Sequence, residues 1–329
     1  MVRVKKQTNE TYGTYFLIEN THGVKLAISP QGARALEWIV PVEGQERDLL
    51  VGFKTIEEHK KARYYAATIG PVAGRIAGAA YTIDGKTYQT PDNDGGNTLH
   101  GGFEGYDTQM WSAEPFEEAD NVGVVFSLTY PDGKDGFPGN VTSKITYRLD
   151  NDNNYQIEYV ATTDKPTIYN PTNHGYYNLT GSPANSINEH TLQVGAKQVA
   201  ETNPDVTTTG KKVDVAGTKF DFVAGRKIGN TYLDDPFLLD HEAANDLVLT
   251  SPDEKVRLEI QTTASAVVIY TTGSSEAGTS MKHGEMVDHG GIAIEPQEVP
   301  GTEKYPQFGN IVLRPEQPFY SKTTYHVVF

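Results

Sequence analysis

Apolar residues recur at every second position in several stretches of this chain, the spacing expected of strands with one buried face. Val122, Val124, Phe126, Leu128 and Tyr130 form one such run, and Val141, Ile145, Tyr147 and Leu149 form another. The segment between them, Pro131 to Gly139, is rich in Pro, Gly and Asp, so the two runs are expected to pair antiparallel. Tyr155, Ile157, Tyr159 and Ala161 follow after Asp150 to Asn154, whose short polar side chains favour turns and tolerate left-handed backbone. A meander is therefore predicted. Further strands are expected at 256–260, 266–270, 291–295, 310–313 and 325–329, the last docked in a sheet. Helical periodicity is scarce: only Thr55 to Arg63, opening Thr-Ile-Glu-Glu-His, reads as a capped helix with an acidic first turn. With 32 Gly and 18 Pro punctuating short strands, the pattern predicts an all-β sandwich or barrel-like stack. No linker-like shift in composition and no repeat interrupts it, so one domain over 1–329 is expected.

Charge narrows the partners. The 28 basic residues are outnumbered by 43 acidic ones, and a net charge of -15 repels nucleic-acid phosphates and anionic membranes alike. The expected partner is a small molecule, with no nucleic acid and no membrane, and the protein is expected to be a monomer or homodimer. The absence of cysteine excludes disulfides, thiolate metal sites and a cysteine nucleophile. No apolar h-region follows the first residues and no stretch approaches a membrane span, so a cytoplasmic location is the expectation.

Several motifs fail on spacing. Asp84-Gly-Lys-Thr87 ends like a phosphate loop, but the required upstream glycine is Ala80. Gly273 to Gly278 lacks the spacing of a nucleophile elbow because position 277 is alanine. His283, Glu285, Asp288 and His289 lie close together without the helical H-E-x-x-H spacing of a metal site and read as a solvated loop.

Three segments carry more chemistry. In Asn97-Thr-Leu-His-Gly-Gly102, His100 precedes two glycines that allow close backbone approach, which suits a ligand or a hydrogen-bonded turn. In Asn170 to Leu179, His174 stands among amides, hydroxyls and aromatic rings, a mixture suited to a sugar, whose C–H face packs on rings while its hydroxyls meet polar groups. A satisfied structural histidine is the alternative there. Glu295 ends the apolar run Gly291-Ile-Ala-Ile-Glu295, just before a proline expected to end regular pairing. A carboxylate at the tip of a buried strand is either an ion-pair partner or a base whose pKa is raised by desolvation.

Taken together these segments resemble the galactose mutarotase (aldose 1-epimerase) family, in the same order and over nearly the whole chain. The similarity lies in the His-Gly-Gly segment at 97–102, the turn Asp132-Gly-Lys-Asp-Gly-Phe-Pro-Gly139, the Asn-His-x-Tyr-x-Asn-Leu segment at 173–179 and Glu295-Pro-Gln297. The resemblance implies a large antiparallel β-sandwich that interconverts the α and β anomers of a free aldohexose, galactose or glucose, without cofactor or metal. It implies His174 as general acid, Glu295 as general base, and Arg75, His100 and Asp234 as substrate-binding residues. Pro71 stands where the family usually has arginine, Gly74 where it has asparagine, Asp235 where it often has histidine, and Val268 where some relatives have glutamine. These departures bear on the sugar preferred. The rival readings are a glycoside hydrolase using Asp234 and Glu295 as paired carboxylates, and a non-catalytic carbohydrate-binding β-sandwich.

Overall fold

The alternating runs at 122–161 become the long strands Asn121–Tyr130, Val141–Asp150 and Asn154–Thr163 in a computed structural model that describes residues 2–329. They pair antiparallel in register, Val124 opposite Tyr147 and Tyr147 opposite Ile157, as the meander predicted. The C-terminal strand Phe319–Val328 docks beside Asn154–Thr163 and completes the centre of a nine-stranded sheet. A five-stranded N-terminal meander runs from Arg3–Asn9 to Gln45–Asp48. A six-stranded sheet carries, in spatial order, Gly175–Tyr177, Ile292–Gln297, Ala266–Thr271, Asp234–Leu238, Gln198–Thr202 and Thr208–Asp214. The architecture is a large antiparallel β-sandwich.

Trp38 shows how the sheets are joined. It lies on the N-terminal meander, is fully buried, and meets Tyr155 and Tyr325 of the nine-stranded sheet and Tyr177 of the six-stranded one edge-on, at 5.2, 6.3 and 6.4 Å between ring centroids. Edge-to-face packing places the positive ring rim against a neighbour's negative face, so this one side chain locks three layers together.

The short helix forms where expected, Ile56–Ala62. The Thr55 hydroxyl accepts the Glu58 N–H at 3.3 Å while the Glu58 carboxylate accepts the Thr55 N–H at 2.9 Å, a reciprocal cap. Two expectations are corrected. Strand Ile292–Gln297 runs through Pro296, which pairs with Val267, so Glu295 lies inside the strand rather than at its tip. The Pro296 carbonyl points to the Thr172 hydroxyl, on the side where the neighbouring strand Gly175–Tyr177 has already left the sheet. Its missing N–H faces that side too, and no ladder bond is lost. The run at 310–313 contributes only the two-residue strand Val312–Leu313, because Asn310 caps its entry by accepting the Val312 N–H.

Candidate active site

The floor of the site follows from strand pleating. Cross-strand partners share a face, so the register Glu295–Val268–Pro236 forms one row across three strands of the six-stranded sheet, and Tyr176–Ala293–Tyr270–Asp234 forms the next. The alternate residues Phe237, Ile269 and Ile294 point into the core. Pleating also separates the two adjacent acids. Asp234 faces the cleft, whereas Asp235 turns toward the core side, where its carboxylate accepts the Asp234 N–H and lies 3.8 Å from Lys219. Both rows, apart from the fully buried Ala293, line a cleft of about 160 Å³ that also takes in His174, Arg75, His100 and Gln297.

His174 sits one residue before the edge strand and is fixed by backbone bonds in both directions, its N–H to the Ala67 carbonyl and its carbonyl from the Ala66 N–H. Its ring is stacked between Tyr64 at 6.0 Å and Tyr176 at 4.8 Å. Its Nε2 lies 3.3 Å from Oε1 of Glu295, and the two side chains are 6% and 4% exposed. Burial pushes His174 down to about 3, since a desolvated imidazole resists a charge. Burial pushes Glu295 well above the carboxylate range; the nearby Asp234 charge adds to this and Arg75 opposes it. Each group is driven toward its neutral form.

The wall is built from loops. Arg75 and Leu99 pair in a two-residue ladder, which places Arg75 and His100 side by side. The Gly74 carbonyl accepts the His100 N–H at 3.0 Å, and the Gly74 N–H donates to His100 Nδ1 at 3.2 Å. With Nδ1 accepting, the ring proton is on Nε2, so His100 offers a donor. His100 adopts φ 52° and is followed by Gly101 at φ 81°. A side chain on Gly101 would place its Cβ 2.2 Å from the Gly70 carbonyl oxygen, so this glycine serves backbone-to-backbone approach rather than contact with a ligand. Arg75 donates from Nε to Asp94 at 2.6 Å and holds Nη1 3.9 Å from Asp234. Burial raises Asp234 to about 6, against the pull of Arg75.

All five residues singled out in the sequence, His174, Glu295, Arg75, His100 and Asp234, therefore line one cleft. Of the four departures, Gly74 and Val268 line it as well. Pro300 packs where a Gly74 side chain would start, 2.6 Å from an added Cβ. Sequence reasoning missed Tyr64, Tyr270 and Asp94, and gave Gln297 no role. Among the described residues, Glu295 Oε2 and both amide atoms of Gln297 are buried without a hydrogen-bond partner, so their bonding capacity is free for a polar ligand. The signals for Gln297 were its place in the Glu295-Pro-Gln297 segment and its period-two spacing from Glu295.

His100, His174 and Glu295 hold donor atoms within 4.8 Å of one another, a spacing that would fit a divalent cation. Ligation by His100 Nε2 would require it to give up its proton while Nδ1 still accepts the Gly74 N–H, so the residues fit a hydrogen-bonding set better than a metal site. The stretch His283 to His289, expected as a solvated loop, is partly buried instead: Met286 and His289 are 1% and 2% exposed, and His289 packs against Tyr232 at 4.2 Å. No helix among the described residues is long and apolar enough to cross a membrane.

Residues 15–326 match the family described as aldose 1-epimerase. The chain is similar to an aldose 1-epimerase of Haemophilus influenzae, 34% identical over 306 residues that cover 89% of this chain and 88% of the relative. It is also similar to one of Escherichia coli, 33% identical with 94% of each chain covered. Among solved structures, galactose 1-epimerase from Lactobacillus acidophilus superposes with a TM-score of 0.88 at 27% identity, covering 99% of both chains.

Proposed function

The chain belongs to the aldose 1-epimerase family, an isomerase that interconverts the anomers of a free sugar, and from that premise we propose His174 as its general acid and Glu295 as its general base. The carrying observation is the buried 3.3 Å contact between these two side chains, in a cleft whose other polar groups are Arg75, His100, Asp234 and Gln297.

Ring opening needs a proton removed from the C1 hydroxyl and another given to the ring oxygen. Glu295 takes the first as a carboxylate, and His174 gives the second as an imidazolium. C1–O5 breaks and the open-chain aldehyde forms; rotation about C1–C2 presents its other face, and closure reverses both transfers. The pair holds one proton, which burial places on Glu295 at rest and which passes to His174 across their 3.3 Å contact before opening; after opening it is again on Glu295. Opening thus converts an ion pair into two neutral groups, the state that burial of both side chains favours, and closure by the reverse transfers passes back through the ion pair. Arg75, His100 and Asp234 hold the sugar's hydroxyls so that the aldehyde turns while the rest of the chain stays.

The preferred substrate on this reading is an aldohexose, galactose or glucose, and 1–329 acts as one unit in the cytoplasm, as a monomer or homodimer. The cross-sheet packing around Trp38 supports the single unit, and the lack of cysteine agrees with a reducing compartment. Glu295→Gln is the direct test. It is expected to keep the fold and lose about 10²- to 10⁴-fold in kcat for anomerisation of freshly dissolved α-galactose, followed by polarimetry. A near wild-type rate would remove Glu295 as the base. Release of sugar from a nitrophenyl glycoside would favour the hydrolase instead.

A further inference from the structure

The hairpin joining strands Gln198–Thr202 and Thr208–Asp214 carries a residue that its surroundings argue against. Val206 adopts φ 63°, a left-handed conformation that β-branched side chains rarely occupy, at a tip where Asn203, Pro204 and Asp205 are exposed. Glycine or asparagine would satisfy both the backbone and the solvent. The valine side chain instead turns inward, is half-buried and lines the cleft together with Pro236, Val268 and Pro300.

The strained turn is held from several directions. Asn203 donates its N–H to the Thr207 carbonyl at 2.8 Å, and the Val206 N–H reaches the Asn203 carbonyl at 2.9 Å. Asp205 accepts both the N–H and the hydroxyl of Thr207, and with its second oxygen accepts the Asn97 amide at 3.2 Å. Asn97 belongs to the segment that carries His100. On the other side the Thr208 hydroxyl donates to the Pro300 carbonyl at 2.8 Å. The tip is thus clamped to the two wall segments of the cleft, His100's and Pro300's. None of these bonds involves His174 or Glu295.

We propose that Val206 is a specificity-determining residue that caps a single sugar ring at the solvent edge of the cleft, packing its branched methyls on carbon-bound hydrogens of the sugar. The inference rests on the reading of the cleft as a sugar site. An apolar branched side chain on an exposed, left-handed turn is offset by contact with a ligand, and a side chain there opposes the passage of a second ring through the mouth.

The test is Val206→Gly beside Val206→Thr, with anomerisation of galactose and of lactose followed by polarimetry and unfolding followed by urea titration. Val206→Gly is expected to unfold at an unchanged or higher urea midpoint, because glycine accepts the left-handed turn. Its KM for galactose should rise about tenfold with kcat within about twofold, and the preference for galactose over lactose in kcat/KM should shrink by about tenfold. Val206→Thr, which exchanges one methyl for a hydroxyl but keeps the β-branched shape that opposes a second ring, should hold that preference to within about twofold of the native chain. An unchanged preference in Val206→Gly, or a fall in kcat at constant KM, would overturn the inference alone, provided the native chain is active. A native chain inactive on every free aldose would overturn the sugar-site reading as well.

Discussion

The floor and the wall of the cleft are built by different means. On the floor, Glu295, Val268, Tyr270 and Asp234 take their places from strand register, and ordinary extended backbone delivers them to one face. On the wall, Gly74, His100, Gly101 and Val206 all have positive φ, and each depends on a neighbour packed against it. A sheet row tolerates substitution of a side chain because the backbone ladder survives. A left-handed loop does not tolerate a change toward a residue that disfavours that backbone. The proposed acid–base pair spans the floor and its edge, so chemistry is expected to be robust in fold and fragile in side chain, whereas sugar binding is expected to be fragile in backbone.

That contrast can be broken in three ways. The largest effect is expected from His174→Asn, which keeps a polar side chain between Tyr64 and Tyr176 but removes the acid. It should lose about 10²- to 10⁴-fold in kcat with little change in KM, measured by polarimetry. A large rise in KM instead would move His174 to the binding side of the comparison.

Gly74→Ala should act on the wall. The new Cβ would start 2.6 Å from the Pro300 ring and the residue would be held at φ 76°, so the loop must shift and the N–H that sets the His100 tautomer moves with it. The expected outcome is a destabilisation of about 1–3 kcal/mol in urea titration and a rise in KM exceeding any fall in kcat. An unchanged KM would show that the Gly74–His100 bond does not matter to binding.

The smallest effect is a shift in pH dependence. The active pair holds one proton. A second proton adds to His174, whose pKa is pushed down to about 3, and the single proton is lost from Glu295, whose pKa is raised well above the usual carboxylate value. Activity is therefore expected to persist well into acid, with kcat/KM falling as pH drops toward about 3 and falling again as pH rises past the lifted value of Glu295. The Asp234 charge contributes to that lift. Asp234→Asn removes it, so besides weaker sugar binding the alkaline limb should move to lower pH. A limb that stays in place would mean that Asp234 and Glu295 are not electrostatically coupled.

Much of this was legible in the chain itself because strands are local. The runs at 122–161 name their own buried faces, and Thr55 with Glu58 spells out its own cap. The polar-aromatic segment around His174 and the carboxylate after an apolar run were visible for the same reason. Pro296 misled because a proline's effect depends on which neighbour its missing N–H would have faced, and that neighbour, Gly175–Tyr177, is more than a hundred residues away.

Sequence alone determined the all-β class and many of the strand positions through periodicity, and singled out His100, His174 and Glu295 through the composition of short segments; Arg75, Asp234 and the acid and base roles came only from the resemblance to the aldose 1-epimerase family. Only the tertiary structure decided that Asp234 rather than Asp235 faces the cleft, that His100 is a donor, and that His174 touches Glu295. It also decided that Val206 and Pro300 close the wall. These are facts about groups distant in sequence, set by register, burial and backbone packing between segments.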